Sequence, residues 1–221
     1  MKQSYTILGV CFDVGEIIVN ETREYGTWAD WLGVPRHDFS ARFGATIAQG
    51  DDYRKTFTYF DPNFDLTRAR QARADAGKPE TFSEEDIYPD VRACLKALKD
   101  LGLKVSLAGN QTARAGGILR SLFSNDVDFI RTSDDWGVSK PDTAFFDRVV
   151  QEMDLAPSQI LYVGDRLDND IRPAQEVGLQ TCLVQRGPWG RILQMPQIEK
   201  GCTFIITDLT TLSDLVAKHN Q

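Results

Sequence analysis

The sequence predicts an α/β protein: a doubly wound, parallel-sheet (Rossmann-like) core with an all-helical domain inserted near its start. Three observations predict it. Short, nearly continuous apolar runs recur along the chain and stop at turn residues, as strands buried on both faces of a parallel sheet do. Amphipathic helical patterns separate most of these runs, and such alternation calls for right-handed crossovers. One stretch, 18–88, breaks the alternation with helical patterns and no strand-like run.

The first apolar run, 7–12, stops at Asp13. Inside the inserted stretch, 22–32 carries Tyr25, Trp28, Ala29 and Leu32 at helical spacing, and 35–48 carries Phe39, Phe43 and Ile47. Trp28 and Trp31 fit helix packing better than a pocket lining. Asp65 is placed to cap 66–76, which Gly77 and Pro79 close. The segment 83–86 resembles another helix start, interrupted by Pro89. Beyond the insertion, 90–101 puts Val91, Cys94, Leu95 and Leu98 on one stripe. Apolar runs at 105–108 and 127–131 end at Gly109-Asn110 and Thr132-Ser133. Asp142 is placed to cap a helix holding Phe145, Phe146, Val149, Val150 and Met153. The run 160–163 ends at Gly164-Asp165, and a short helix over 171–177 closes at Gly178. Runs at 180–184 and 203–206 complete the sheet. The expected division is a core of 1–17 and 89–221, with a helical domain over 18–88.

Composition excludes several classes. The 221 residues are 42% hydrophobic and 26% charged, an ordinary globular balance. Basic residues number 25 and acidic ones 32, a formal charge of −7. That argues against nucleic-acid or anionic-membrane partners, which favour a basic face. No apolar run approaches the ~18 residues that span a bilayer. Met1-Lys2-Gln3-Ser4 leads into the first run without a signal-peptide pattern. Cys11, Cys94, Cys182 and Cys202 are far apart and form no CxxC pair. They are expected as buried free thiols in a reducing, cytoplasmic setting. With only His37 and His219, a multi-histidine metal site is excluded.

Ligands of open parallel sheets bind beyond the carboxyl ends of the strands. Those ends carry Asp13, Gly109-Asn110, Thr132-Ser133 and Asp165, and the sheet also presents Lys140 and Asp170. Carboxylates gathered at one edge repel, which suggests a cation. Oxygen donors without histidine or cysteine favour a hard ion, Mg²⁺ first.

The residues at those ends are similar to a known family. Phe12-Asp13-Val14-Gly15-Glu16-Ile17-Ile18-Val19 resembles the first motif of haloacid dehalogenase-like (HAD) hydrolases. Gly137-Val138-Ser139-Lys140-Pro141-Asp142 resembles their third, and Val163-Gly164-Asp165-Arg166-Leu167-Asp168-Asn169-Asp170 their fourth, GDxxxxD. Leu107-Ala108-Gly109-Asn110 sits where the second belongs, and 201–219 resembles the family's last strand and helix. The resemblance covers nearly the whole chain. It implies that 18–88 is a helical cap acting as a lid, and that Asp13 is a nucleophile forming an aspartyl-phosphate. It implies Mg²⁺ held by Asp13, the backbone carbonyl of Gly15, and Asp165. Lys140 would offset the charge of Asp13 and the phosphate, and Asp170 would support Lys140 or a water on the metal.

Two motifs depart from the family. Gly15 stands where the phosphatases carry a second Asp, and glycine cannot give or take a proton; general acid–base catalysis is worth ~10²–10⁴-fold. Glu16 is the nearest carboxylate. Gly109 stands where Ser or Thr would bond a phosphoryl oxygen, leaving its backbone N–H, with Asn110, Gln111 or Thr112 as side-chain donors. Ile17 replaces a common Thr. The expected function is Mg²⁺-dependent hydrolysis of a small phosphorylated metabolite, a phosphomonoester. One alternative is a family member without turnover that binds a phosphorylated ligand or a protein partner. The other is a 2-haloacid dehalogenase, disfavoured because the additional acidic pair would repel a carboxylate substrate. Substrate selection is expected in the cap, where the sequence leaves Arg36, Arg42, Trp28, Gln49 and Arg54 unranked.

Overall fold

Strands β1 (Gly9–Phe12), β2 (Lys104–Gly109), β3 (Phe129–Thr132), β4 (Ile160–Gly164), β5 (Gln180–Val184) and β6 (Phe204–Ile206) pair in parallel in the order β3-β2-β1-β4-β5-β6. The computed structural model describes residues 5–193 and 195–221, so the opening segment 1–4, read above for a signal pattern, lies outside the described residues. The chain starts at the middle of the sheet, builds β2 and β3 outward, then returns past β1 to build β4, β5 and β6. The order therefore reverses between β1 and β4, the place at which open parallel sheets bind ligands.

Burial on both faces explains the unbroken apolar runs. On one face, Cys11, Ala108, Ile160 and Tyr162 pack against Phe145, Phe146, Val149 and Met153 of the helix Thr143–Met153. The Phe146 ring meets Tyr162 edge-on at 5.0 Å. The Asp142 side chain caps this helix by accepting from the Ala144 N–H at 2.9 Å. Helix Val91–Asp100 buries the predicted stripe of Val91, Cys94, Leu95 and Leu98. Helix Ala113–Phe123, between β2 and β3, is absent from the sequence reading; Gly116 and Gly117 dilute its apolar period. The segment 83–86 is one 3₁₀ turn, not a helix start. Asp86 holds it by accepting from the Ser83 N–H at 2.8 Å and from Arg23.

Two compact units are present: Asn20–Asp86, and the remainder up to Val19 and from Ile87. The first is two residues shorter at each end than 18–88, because Val19 forms bridges with Gly15 and Ile87. Within Asn20–Asp86, helices Thr22–Leu32, Arg36–Ala48, Lys55–Phe60 and Leu66–Asp75 enclose Trp28, Phe39, Phe43, Ile47 and Phe57. Asp65 caps the last of these through the Arg68 N–H at 2.9 Å. Trp28 is core: its indole N–H donates to Glu80 at 3.0 Å, and the Arg73 guanidinium covers its ring at 4.1 Å. Trp31 instead lines a shallow depression of about 500 Å³ with Phe60, Phe64 and Arg68.

All four cysteines are free thiols; Cys202 is only half-buried, which corrects the expectation of four buried thiols. Among the described residues, no helix is long and apolar enough to cross a membrane.

Candidate active site

The β1–β4 register builds the site. Phe12 lies opposite Val163, so the residues after each strand emerge side by side. The Asp13 N–H donates to the Val163 carbonyl at 2.9 Å, which carries the strand pairing up to Asp13. Asp165 follows β4 directly. The chain then makes one wide turn, Leu167–Ile171, in which the N–H groups of Asp170 and Ile171 both donate to the Arg166 carbonyl, at 2.9 and 3.1 Å. Such five-residue turns recur at functional sites. Here the turn aims Asp170 back at the strand ends. Its Oδ2 accepts from the Arg166 N–H at 3.0 Å and its Oδ1 from Lys140 Nζ at 2.6 Å. Asp170 therefore does not cap the helix that follows.

Lys140 arrives from the loop before helix Thr143–Met153. Its ammonium lies 2.7 Å from Asp13 Oδ1 and 2.6 Å from Asp170 Oδ1. The rings of Tyr162 and Phe145 shield it, at 5.5 and 5.8 Å. Asn110 holds its backbone at both ends. Asn110 Nδ2 donates to the Lys140 carbonyl and Asn110 Oδ1 accepts from the Lys140 N–H, each at 2.8 Å. Expected as a phosphate ligand, the Asn110 amide is thus engaged in placing Lys140.

Asp13, Asp165 and Asp170 each bring a carboxylate oxygen within 4.8 Å of the others, and all three are buried. Burial pushes the Asp13 carboxyl up to about 6, against the opposing pull of Lys140. Burial, then the charges of Asp170 and Asp13, push Asp165 well above the usual carboxylate range. For Lys140, burial works against the ammonium, but Asp13 and Asp170 outweigh it and raise its value. One ammonium serves two of the three acids, Asp13 and Asp170, so the trio holds more acid than Lys140 can neutralise. Asp165 Oδ2 is buried without a hydrogen-bond partner among the described residues. These features fit a divalent hard cation.

The loop after Asp13 is a tight turn. The N–H groups of Ile18 and Val19 donate to the Val14 carbonyl at 2.8 and 2.9 Å, and the Glu16 N–H to the Val19 carbonyl at 2.8 Å. Glu16 takes a left-handed conformation, φ 55°, uncommon without glycine. Its side chain is buried and accepts from the Tyr88 hydroxyl at 2.5 Å. Gly15, half-buried, presents only backbone here. Gly109 closes on Asp13: a Cβ there would lie 2.5 Å from Asp13 Oδ1 and 3.2 Å from Val14 Cγ2.

Sequence reasoning missed Arg186, Tyr88 and Asp90, which lie beneath this loop. The buried Arg186 guanidinium donates from Nε to the Glu16 carbonyl at 2.8 Å, to the Ile17 carbonyl, and to both Asp90 oxygens at 3.1 and 2.8 Å. No motif or period marks these residues, since each serves a neighbour distant in sequence.

Residues 10–178 match the profile of a family described as haloacid dehalogenase-like hydrolase. A glyceraldehyde 3-phosphate phosphatase of Methanocaldococcus jannaschii is 30% identical over 131 residues, 58% of this chain and 56% of that protein. A ribulose-1,5-bisphosphate 5-phosphatase of Halopiger xanaduensis is 26% identical over 168 residues, 72% and 69% of the two chains. The chain spans about half the length of most of the curated relatives it matches. Among solved structures, a haloacid dehalogenase-like hydrolase from Bacteroides fragilis superposes with a TM-score of 0.69 at 18% identity, over 94% of this chain and 100% of that one. The magnesium-bound hydrolase YfnB from Bacillus subtilis gives 0.67 at 20% identity, over 96% and 99%. At these identities the structural likeness shows the fold.

Proposed function

Since the chain belongs to the haloacid dehalogenase-like hydrolases, we propose that it is a Mg²⁺-dependent phosphatase of small phosphomonoesters, acting through an aspartyl-phosphate on Asp13. The observation that carries this reading is the buried trio of Asp13, Asp165 and Asp170, with one ammonium bridging Asp13 and Asp170. Asp13, Asp165 and the Gly15 carbonyl would hold the ion. Bound there, it would supply the positive charge that lets an anionic carboxylate meet an anionic phosphate.

The chain's own residues do the rest. An Asp13 carboxylate oxygen attacks phosphorus, the ester oxygen leaves, and water later releases phosphate and restores the carboxylate. With its carboxyl near 6 in the metal-free protein, Asp13 is mostly ionised at neutral pH. Lys140 holds it in that form and, through Asp170, is itself fixed in place. Gly15 offers no proton to the leaving oxygen, so turnover should favour esters whose alcohols leave readily. The names of the curated relatives point to triose and pentose phosphates as first substrates to try.

The test is phosphate release from 4-nitrophenyl phosphate, glyceraldehyde 3-phosphate and ribulose 1,5-bisphosphate, with Mg²⁺ or with EDTA, by the parent and by Asp13→Ala. Turnover that survives EDTA or Asp13→Ala defeats the reading. Gly15→Asp should narrow the preference for good leaving groups. A second reading, a binder of phosphorylated ligands without turnover, is favoured by the closed space at Gly109. It gains if Mg²⁺ binds but no ester is cleaved.

A further inference from the structure

We infer that Arg186 is a positioning residue for the loop that presents the Gly15 carbonyl to the metal, an inference that rests on the metal reading above. Arg186 lies two residues beyond the end of β5, and its guanidinium is spent on three segments. Two donors take the carbonyls of Glu16 and Ile17, a third side takes Asp90, and its plane covers the Tyr88 ring at 3.8 Å. Asp90 is anchored in turn by the Leu209 N–H at 2.7 Å.

The effect is on consecutive peptide planes. The plane between Gly15 and Glu16 is fixed by the Glu16 N–H on the Val19 carbonyl. The next two, whose carbonyls belong to Glu16 and Ile17, are held from the carbonyl side by Arg186 and from the N–H side by the Val14 carbonyl, at 3.3 and 2.8 Å. Between the first and second planes sits Glu16 in its left-handed conformation, a strained state that persists only where its surroundings impose it. The Tyr88 hydroxyl pins the Glu16 side chain, and Gly187 leaves it room: a Cβ at 187 would meet Glu16 Cγ at 2.5 Å. Without Arg186, two carbonyls lose their side-chain donor and the left-handed Glu16 loses one of its constraints, so the Gly15 carbonyl next to it is held only by the Glu16 N–H bond to Val19. Arg186 itself touches none of Asp13, Asp165 and Asp170, so its influence passes through the backbone.

The experiment is titration calorimetry with Mg²⁺ alone on the full chain, with melting temperatures alongside. Partners that orient metal ligands are typically worth ~10–100-fold in affinity. Arg186→Met should weaken Mg²⁺ binding by about that factor. Asp90→Asn, which breaks the same buried ion pair but leaves the guanidinium on the carbonyls, should lower the melting temperature yet keep Mg²⁺ affinity within about 3-fold. Arg186→Lys, which keeps the charge but not the paired donors, should fall between them and guards against a Met variant that does not fold. In a Glu16→Gly background, where positive φ carries no strain, the loss caused by Arg186→Met should shrink. Equal losses for Arg186→Met and Asp90→Asn overturn the inference, as does a loss undiminished by Glu16→Gly. A parent that binds no Mg²⁺ overturns the metal reading itself and this inference with it.

Discussion

Replacing Lys140 by Met isolates the electrostatics of the site. Met keeps an unbranched apolar stem against Tyr162 and Phe145 but removes the only cation within bonding distance of Asp13 and Asp170 among the described residues. Breaking a buried pair by deleting one partner costs about 3–5 kcal/mol, because the other charge stays buried. For a chain of this length each kcal/mol moves the melting temperature by roughly 2–4 °C. The expected drop is therefore about 6–20 °C at pH 8 in EDTA, measured by calorimetry. Its pH dependence is the sharper test. Asp13 already titrates near 6 in the parent, and losing Lys140 can only raise it. A carboxyl raised above its unfolded value contributes stability below that value and loses it as pH rises through the folded one. The penalty should thus be small near pH 4–5 and keep growing as pH rises to 8. Mg²⁺ should restore more stability to the variant than to the parent. An equal drop at pH 5 and pH 8, or one under about 2 °C at pH 8, would refute Lys140 as the countercharge.

Asp13→Asn should leave the metal-free protein more stable than the parent above pH 6. It removes a buried carboxyl whose displacement to about 6 costs roughly 3 kcal/mol at neutral pH, and urea unfolding in EDTA at pH 5 and 8 measures the crossover. The same variant should release no phosphate from any ester. Mg²⁺ affinity should fall at least tenfold per pH unit below 6, as protons compete for Asp13 and for the likewise raised Asp165; calorimetry from pH 5 to 8 checks the slope. Gly109→Ser should reduce kcat/KM by about 100-fold rather than improve it. Its Cβ must displace Asp13 Oδ1, and misplacing a reacting group by about 1 Å costs that much.

The sequence by itself determined the architecture, because architecture follows from patterns between near neighbours. Buried strands read as apolar runs, and Asp65, Asp142 and Gly178 mark helix ends through bonds or backbone angles within a few residues. It also placed Asp13 and Asp165 at strand ends, since each directly follows its strand. Helix Ala113–Phe123 escaped it because two glycines blur the period on which the reading depends. What the tertiary structure alone decided is how distant residues are engaged. That Asn110, read as a phosphate donor, also holds the backbone of Lys140, thirty residues on, through both ends of its amide is visible only in the fold. Glu16 looked like a carboxylate beside the nucleophile until Tyr88 and Arg186, distant in the chain, fixed its side chain and carbonyl. A hydrogen bond depends on position to a fraction of an ångström, and a linear pattern specifies only which face a residue occupies. Which polar group meets which is settled by the closing of the sheet and its loops.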